Sequence, residues 1–304
     1  MKFINRIEGA VFFVDILGVS ALTENKLKLD DNDFNDWLNQ YGLEHNNQYL
    51  AASILGEFRK ILNDLKNQFN NIKISQLSDC AFIWSENVTD VLIAANNLMS
   101  KAVVSGILCR GGLAYGEIIE TTQNYDLGRF IVGSAVTRAA KLEGLAKGAR
   151  IMMDQEFPNA FWEKDKTFDN RINEMFKPFI NPLDFQTYDE FKWYLVPNLD
   201  STVKDLSISD YDYRLSLTKQ RLNLATKIRL SPKFYWNSKS PQGLVQLRAT
   251  LSFMTENKLL DINHNFDWTE PSEKRSNEIV KNVECLITTD KDYSDEKASV
   301  QHRI

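Results

Sequence analysis

Two aspartates stand where a carboxylate is costly. Asp15 lies inside the apolar run of residues 10–17 (AVFFVDIL), and Asp79 sits between two short apolar runs, residues 72–77 and 80–84. Burying an unpaired carboxylate costs several kcal/mol, so each acid needs a cation or a set of N–H donors beside it. Two readings are open. Each acid is a turn or edge residue satisfied by backbone N–H groups or an arginine, or the two together offer oxygen ligands to one or two divalent ions. Oxygen-only ligation is the geometry that Mg²⁺ and Mn²⁺ prefer.

The elements that must position these acids follow from hydrophobic spacing. Residues 10–17 read as a buried strand, and the polar, Asn/Asp-rich residues 23–47 as a loop with at most a short helical turn. Leu50, Ile54, Phe58, Ile61, Leu65 and Phe69 recur at helical spacing, after which Asn70 and Asn71 end the helix. Residues 72–77 and 80–84 predict a hairpin with Asp79 at its bend. A second helix spans 89–106, capped by Asn87 or Thr89 and ended by Gly106. A strand over 107–116 continues towards Ile119. Residues 130–133 lead into a helix over 134–145, Gly148 closes that helix, and residues 149–153 form another strand. The order βαββαβ predicts an α+β, ferredoxin-like sandwich with helices on one face of an antiparallel sheet. In that arrangement the end of the first strand and the hairpin bend lie side by side. Residues 191–196 (FKWYLV) read as the last strand, and the aromatic cluster Phe191, Trp193 and Tyr194 as core. The expected division is a domain over 1–198 and an extension over 199–304, with helices near 213–228 and 243–255 and a polar tail from about Thr269.

Four segments then carry a resemblance: FFVDILGVSALTE, QLSDCAFIW, CRGGLAYGEII and GRFIVGSAVTRAAKLEGLAKGARIMM. In this order and spacing, over roughly residues 8–198, they resemble the successive blocks of the class III nucleotide cyclase domain. The resemblance implies that Asp15 and Asp79, with the Ile16 carbonyl, hold two Mn²⁺ or Mg²⁺ ions. One ion would acidify the ribose 3′-hydroxyl for attack on the α-phosphate, and the other would neutralise charge as pyrophosphate leaves. It also implies a head-to-tail homodimer, with the metal acids from one subunit and the base and transition-state contacts from the other.

The departures from that family narrow the expectation. Ser75 stands where purine cyclases place a base-reading lysine, and Phe130 where they place the partner acid or threonine. Both positions either pack or face solvent, or suit another base, with Phe130 stacking and Ser75 hydrogen-bonding. Thr137 and Lys141 replace the family's Asn and Arg one helical turn apart, and Arg138 lies about 100° round the helix. Lys141 keeps the charge and loses the bidentate fork. Arg110, in the RGG turn, either holds a phosphate or forms a structural ion pair. The Gly111-Gly112 pair lacks phosphate-loop spacing.

With its RGG block and missing purine readers, the chain resembles the Pycsar pyrimidine cyclases of bacterial anti-phage defence. That resemblance implies conversion of UTP to cyclic UMP for a separate effector protein. Cyclic CMP synthesis, an adenylate or guanylate cyclase, and an inactive nucleotide-binding sensor are the alternatives.

Composition sets outer limits. The 304 residues are 43% apolar and 25% charged, with 36 basic against 41 acidic side chains and a net charge of -5. A core can be buried, and broad capture of nucleic acid or anionic membrane is not expected. Three cysteines (Cys80, Cys109, Cys285) without a CxxC pair, and three scattered histidines (His45, His264, His302), argue against a disulfide scaffold or a zinc cluster. No apolar run is long enough to span a membrane, and Glu8 interrupts the first one, so a soluble cytoplasmic protein without a signal peptide is expected.

Overall fold

The computed structural model describes residues 4–121, 129–166, 168–181, 184–206 and 210–255; the expected polar tail, with Cys285, His264 and His302, lies outside them. An interior strand of the sheet is β1 (Ile4–Ile16). Its Ala10, Val11, Phe12 and Val14 are all fully buried. Both faces of the strand are therefore covered, which is why the run is continuously apolar and does not alternate.

Three helices follow: α1 (Val19–Thr23), α2 (Asp31–Leu38) and α3 (Asn47–Gln68). The presence of α2 corrects the loop expected over 23–47. Asp30 and Asp33 form a reciprocal capping box at its start, and Phe34, Trp37 and Leu38 turn inward at helical spacing. The Asp/Asn content of this segment supplies caps as well as turns. The hairpin of β2 (Lys73–Leu77) and β3 (Cys80–Ser85) bends at Ser78 and Asp79. Next, α4 (Val88–Ser105) is capped by Asn87, whose side chain accepts from the Asp90 N–H, and it ends at Gly106. Then come β4 (Cys109–Thr121), β5 (Ile131–Val132), α5 (Ser134–Glu143) and β6 (Ile151–Met153).

Antiparallel pairing of β2 with β3, β3 with β1, and β1 with β4 gives the expected ferredoxin-like βαββαβ order. The fold is α+β. Past β4 the sheet continues through elements the sequence did not announce: α6 (Glu156–Lys164), α7 (Asp169–Ile172), β7 (Phe176–Ile180) and β8 (Thr187–Phe191). The complete order is β2-β3-β1-β4-β6-β8-β7, with β6 parallel to β4 and β5 paired off β4, so the sheet is mixed. The strand expected over 191–196 is corrected as well. Only Phe191 lies in a strand, and Trp193–Leu195 is a 3₁₀ turn. Phe191, Trp193 and Tyr194 are buried as expected, and the Trp193 indole donates to the Ala149 carbonyl at 2.7 Å. An apolar run marks burial and does not by itself choose a strand.

The main core gathers under α3 and α4 on one face of the sheet. On the other face α5 covers a smaller cluster of Val11, Trp84, Ala114 and Ile118 with its Ala135, Val136 and Ala139. One-sided helix packing thus holds for α3 and α4 and not for α5. Gly112 makes that second layer possible. A Cβ there would lie 2.1 Å from the Ala139 carbonyl oxygen, so only glycine lets the α5 backbone rest on β4.

The C-terminal region is helical, comprising α8 (Tyr211–Leu230), α9 (Tyr235–Ser238) and α10 (Pro241–Thr255). Its Leu222, Ile228, Trp236, Leu247, Leu251 and Phe253 belong to the same core cluster as α3 and α4. Among the described residues, no helix is long and apolar enough to cross a membrane.

Candidate active site

Asp15 is the penultimate residue of β1, in register with Cys80 on β3 and Arg110 on β4. The Ile16 N–H donates to the Asp79 carbonyl at 3.0 Å, which ties the hairpin bend to the end of β1. Sheet topology therefore delivers Asp79 to Asp15, as the βαββαβ order requires. Burial pushes the Asp15 carboxyl up to about 7, helped by the nearby carboxylates of Glu143 and Asp79; Arg110 and the Ile16 N–H pull the other way. The same field reaches Cys80. Its thiol rises to about 11, first through burial and then through Asp15, Asp79 and Glu143, so it is no nucleophile.

Arg110 is paired. Its Nε donates to Glu143 at 2.6 Å and its NH1 to the Ala146 carbonyl at 3.1 Å. Of the two readings of this residue, the ion pair is present, and the guanidinium still lines the cavity beside Asp15. Glu143, the last residue of α5, was missed by sequence reasoning because a glutamate near a helix end reads as solvated. The signal for it was Arg110 itself, a strand cation in need of an acid.

Asp15, Ile16, Asp79 and Arg110 open onto a cavity of about 520 Å³, whose other walls are the turn at Gly18, Lys147 and the segment from Asn237 to Gln246. This size is typical of a small-molecule site. The remaining expected residues lie elsewhere. Thr137 and Lys141 are exposed on one side of α5. Lys141 and Arg138 line a second cavity, with Asp154 and Tyr188, that contains neither metal acid. The Arg138 guanidinium is held by Asp154 at 2.7 Å and by the Tyr115 carbonyl. Ser75 donates to the Arg129 carbonyl at 3.2 Å, which places it against the chain leading to the exposed Phe130. The structure thus brings Asp15, Ile16, Asp79 and Arg110 to one place and Ser75 and Phe130 to another, and it leaves Thr137 and Lys141 on an open helix face.

The acid end suits a hard divalent cation. The carboxylates of Glu143 and Asp79 add negative charge around Asp15, and the adjacent guanidinium is paired with Glu143. Among the described residues no group of three or more His, Cys, Asp or Glu side chains forms a ready metal cluster. A site here would rest on Asp15, Asp79 and the Ile16 carbonyl, with water and substrate oxygens completing the shell, as Mg²⁺ commonly requires.

No family model matches the chain, and no curated protein does. Among solved structures the chain is similar to the dimeric guanylyl cyclase domain of the RhoGC fusion protein from the aquatic fungus Blastocladiella emersonii. Identity is 15% and the TM-score 0.41, over 62% of this chain and 97% of that one. It is also similar to the adenylyl cyclase CyaB from P. aeruginosa (16%, TM-score 0.37, 62% and 95% of the chains). A bacterial light-regulated adenylyl cyclase gives 15% identity and a TM-score of 0.42, over 72% of this chain and 58% of that one.

Proposed function

We propose that the chain is a nucleotide cyclase acting on a pyrimidine triphosphate, with UTP favoured and 3′,5′-cyclic UMP and pyrophosphate as products. The observation that carries the reading is the acid pair. Asp15 and Asp79 are brought together by strand order, the arginine beside them is already paired with Glu143, and they face a cavity of about 520 Å³. Asp15, Asp79 and the Ile16 carbonyl would hold Mn²⁺ or Mg²⁺. Bound there, such ions lower the pKa of a hydroxyl and neutralise phosphate charge. In the reaction the ribose 3′-oxygen bonds to the α-phosphorus, the bond from that phosphorus to the β-phosphate oxygen breaks, pyrophosphate leaves, and the hydroxyl proton is released.

This chain's own part is positioning. Arg110, fixed by Glu143, presents its remaining N–H donors to phosphate oxygens. Lys141 and Thr137 are exposed and far from engaged, which supports a head-to-tail homodimer in which they serve the acids of the other copy. Ser75 and the segment of Phe130 lie together on one chain, as a base pocket contributed by one subunit needs. With Ser75 donating to the Arg129 carbonyl, its oxygen keeps acceptor capacity for a pyrimidine edge. Arg138, tied to Asp154, holds α5 in place. The role in anti-phage signalling through a separate effector, and the division at residue 198, rest on the sequence resemblance.

The test is purified protein supplied with each of the four NTPs and Mn²⁺, with products identified by mass. Cyclic UMP is expected. Cyclic CMP would move the base preference, and product from ATP or GTP alone would overturn the pyrimidine reading. Equal turnover by wild type and Asp79→Ala would overturn the enzyme and leave a nucleotide-binding sensor.

A further inference from the structure

The C-terminal helices do more than complete the core. The cavity that holds Asp15 and Asp79 on one side is closed on the other by the α9–α10 junction, where Asn237, Ser240 and Gln242 line it. Asn237 is only 3% exposed, and its Oδ1 has no hydrogen-bond partner. Its amide nitrogen lies 3.7 Å from where a Cβ on Gly18 would sit, against the turn that leaves Asp15. Oδ1 is an acceptor, so toward an anion the useful part of Asn237 is its amide N–H groups, which make no hydrogen bond among the described residues and sit in the cavity lining.

Its neighbours are poised in the same way. Ser240 caps α10, its Oγ accepting from the Gly243 N–H at 3.0 Å and its carbonyl accepting from the Leu244 N–H at 2.9 Å. Pro241 has no N–H, so the Gln242 N–H is the first-turn donor left without an intrahelical acceptor, at the positive end of a 15-residue helix. Gly243 presses this turn onto Asn237, since a Cβ there would lie 1.9 Å from the Asn237 carbonyl oxygen. The far side of α10 is bolted to the loop before β6. Gln246 Oε1 accepts from the Gly148 N–H at 2.6 Å, and Thr250 Oγ1 from the Ala149 N–H at 2.9 Å. Next to that bolt Lys147 lines the cavity, and among the described residues it makes no ion pair.

We propose that Asn237, the N-terminus of α10 and Lys147 form a polyphosphate-binding wall, which makes the C-terminal region part of the nucleotide site. The inference rests on the cyclase reading for the identity of the ligand. The charge pattern supports it independently. One wall of the cavity is anionic and suits metal ions; the opposite wall offers N–H donors and an ammonium, which suit phosphate oxygens. A metal–polyphosphate complex satisfies both.

The test uses the full chain and Mn²⁺–tripolyphosphate, a ligand without base or ribose, with binding followed by calorimetry. Wild type is expected to bind it. Lys147→Glu and Asn237→Asp should each weaken binding by about tenfold or more and raise KM for the accepted NTP by a similar factor. Arg248→Ala, on the exposed side of α10, should change neither. Lys147 is a surface residue, so its variant keeps the test valid if Asn237→Asp fails to fold. Unchanged affinity in the Lys147 variant, or no binding by wild type, would overturn the wall. The four-NTP assay judges the cyclase reading separately: turnover without any effect of the variants removes the wall and leaves the enzyme. Tripolyphosphate binding lost in the variants, but without turnover, keeps the wall and removes the enzyme.

Discussion

Two cavities among the described residues have opposite characters. The first gathers carboxylates at the end of β1 and the β2–β3 bend, with its arginine already paired. The second lies against α5 and holds Lys141 and Arg138. The acids that suit a metal ion and the lysine of α5 therefore lie in different cavities of one copy. The acid end is over-determined by backbone pairing on both sides of β1. The α5 side has an exposed threonine and lysine, and its cavity contains neither metal acid. Under the proposed function this difference is a division of labour: one half is complete within a chain, and the other would be presented to a second copy.

The largest expected effect comes from breaking the acid end. Asp79→Ala should lower turnover by at least about a hundredfold, a loss reproduced by chelation and reversed by added Mn²⁺ only in wild type. Asp15→Asn should do the same to activity. It should also raise the melting temperature of the metal-free protein, because it removes a buried charge that faces two other carboxylates.

The division of labour itself is tested by mixing. Asp15→Ala and Lys141→Ala proteins, each at about a tenth of wild-type turnover or less alone, should recover roughly a quarter of it after co-refolding, since half the dimers are mixed and each carries one intact site. No recovery would place both groups in one chain's site. A smaller effect separates neighbours on α5. Lys141→Ala should cut kcat by about tenfold or more and leave the melting temperature unchanged. Arg138→Ala should instead cost about 1–2 kcal/mol of stability by leaving the largely buried Asp154 unpaired. Smallest on chemistry, Gly112→Ala should cost about 1–3 kcal/mol by driving a methyl group into the Ala139 carbonyl, as calorimetric melting would show.

The long periodic elements could be read from the sequence because their apolar spacing leaves one solution: β1, α3, the hairpin, α4 and β4 all stand where expected. Asp15 and Asp79 were legible for the opposite reason, as charges interrupting apolar runs. The sheet's extension was not. β7 and β8 are five-residue strands near an edge, carrying Pro178, Asp189 and Glu190, and nothing local distinguishes them from loop. Glu143 and Asn237 escaped because their significance is tertiary. The first becomes an active-site neighbour only when α5 docks on β4. The second stands in a short polar run (NSKSPQG) that reads as a turn until α9 packs its Trp236 and Asn237 against Gly18. Arg138, about 100° round α5 from Thr137 and Lys141, is engaged with Asp154, a contact that a helical wheel drawn without the sheet beneath it does not show.

The seating of α5 on Gly112 has a mechanical consequence. A helix whose carbonyl rests on a bare Cα cannot roll or slide without riding up onto the flanking side chains. Lys141 is therefore carried as a fixed tooth on a rigid plate. In the proposed dimer, any opening or closing of a shared site would then come from one whole copy turning against the other.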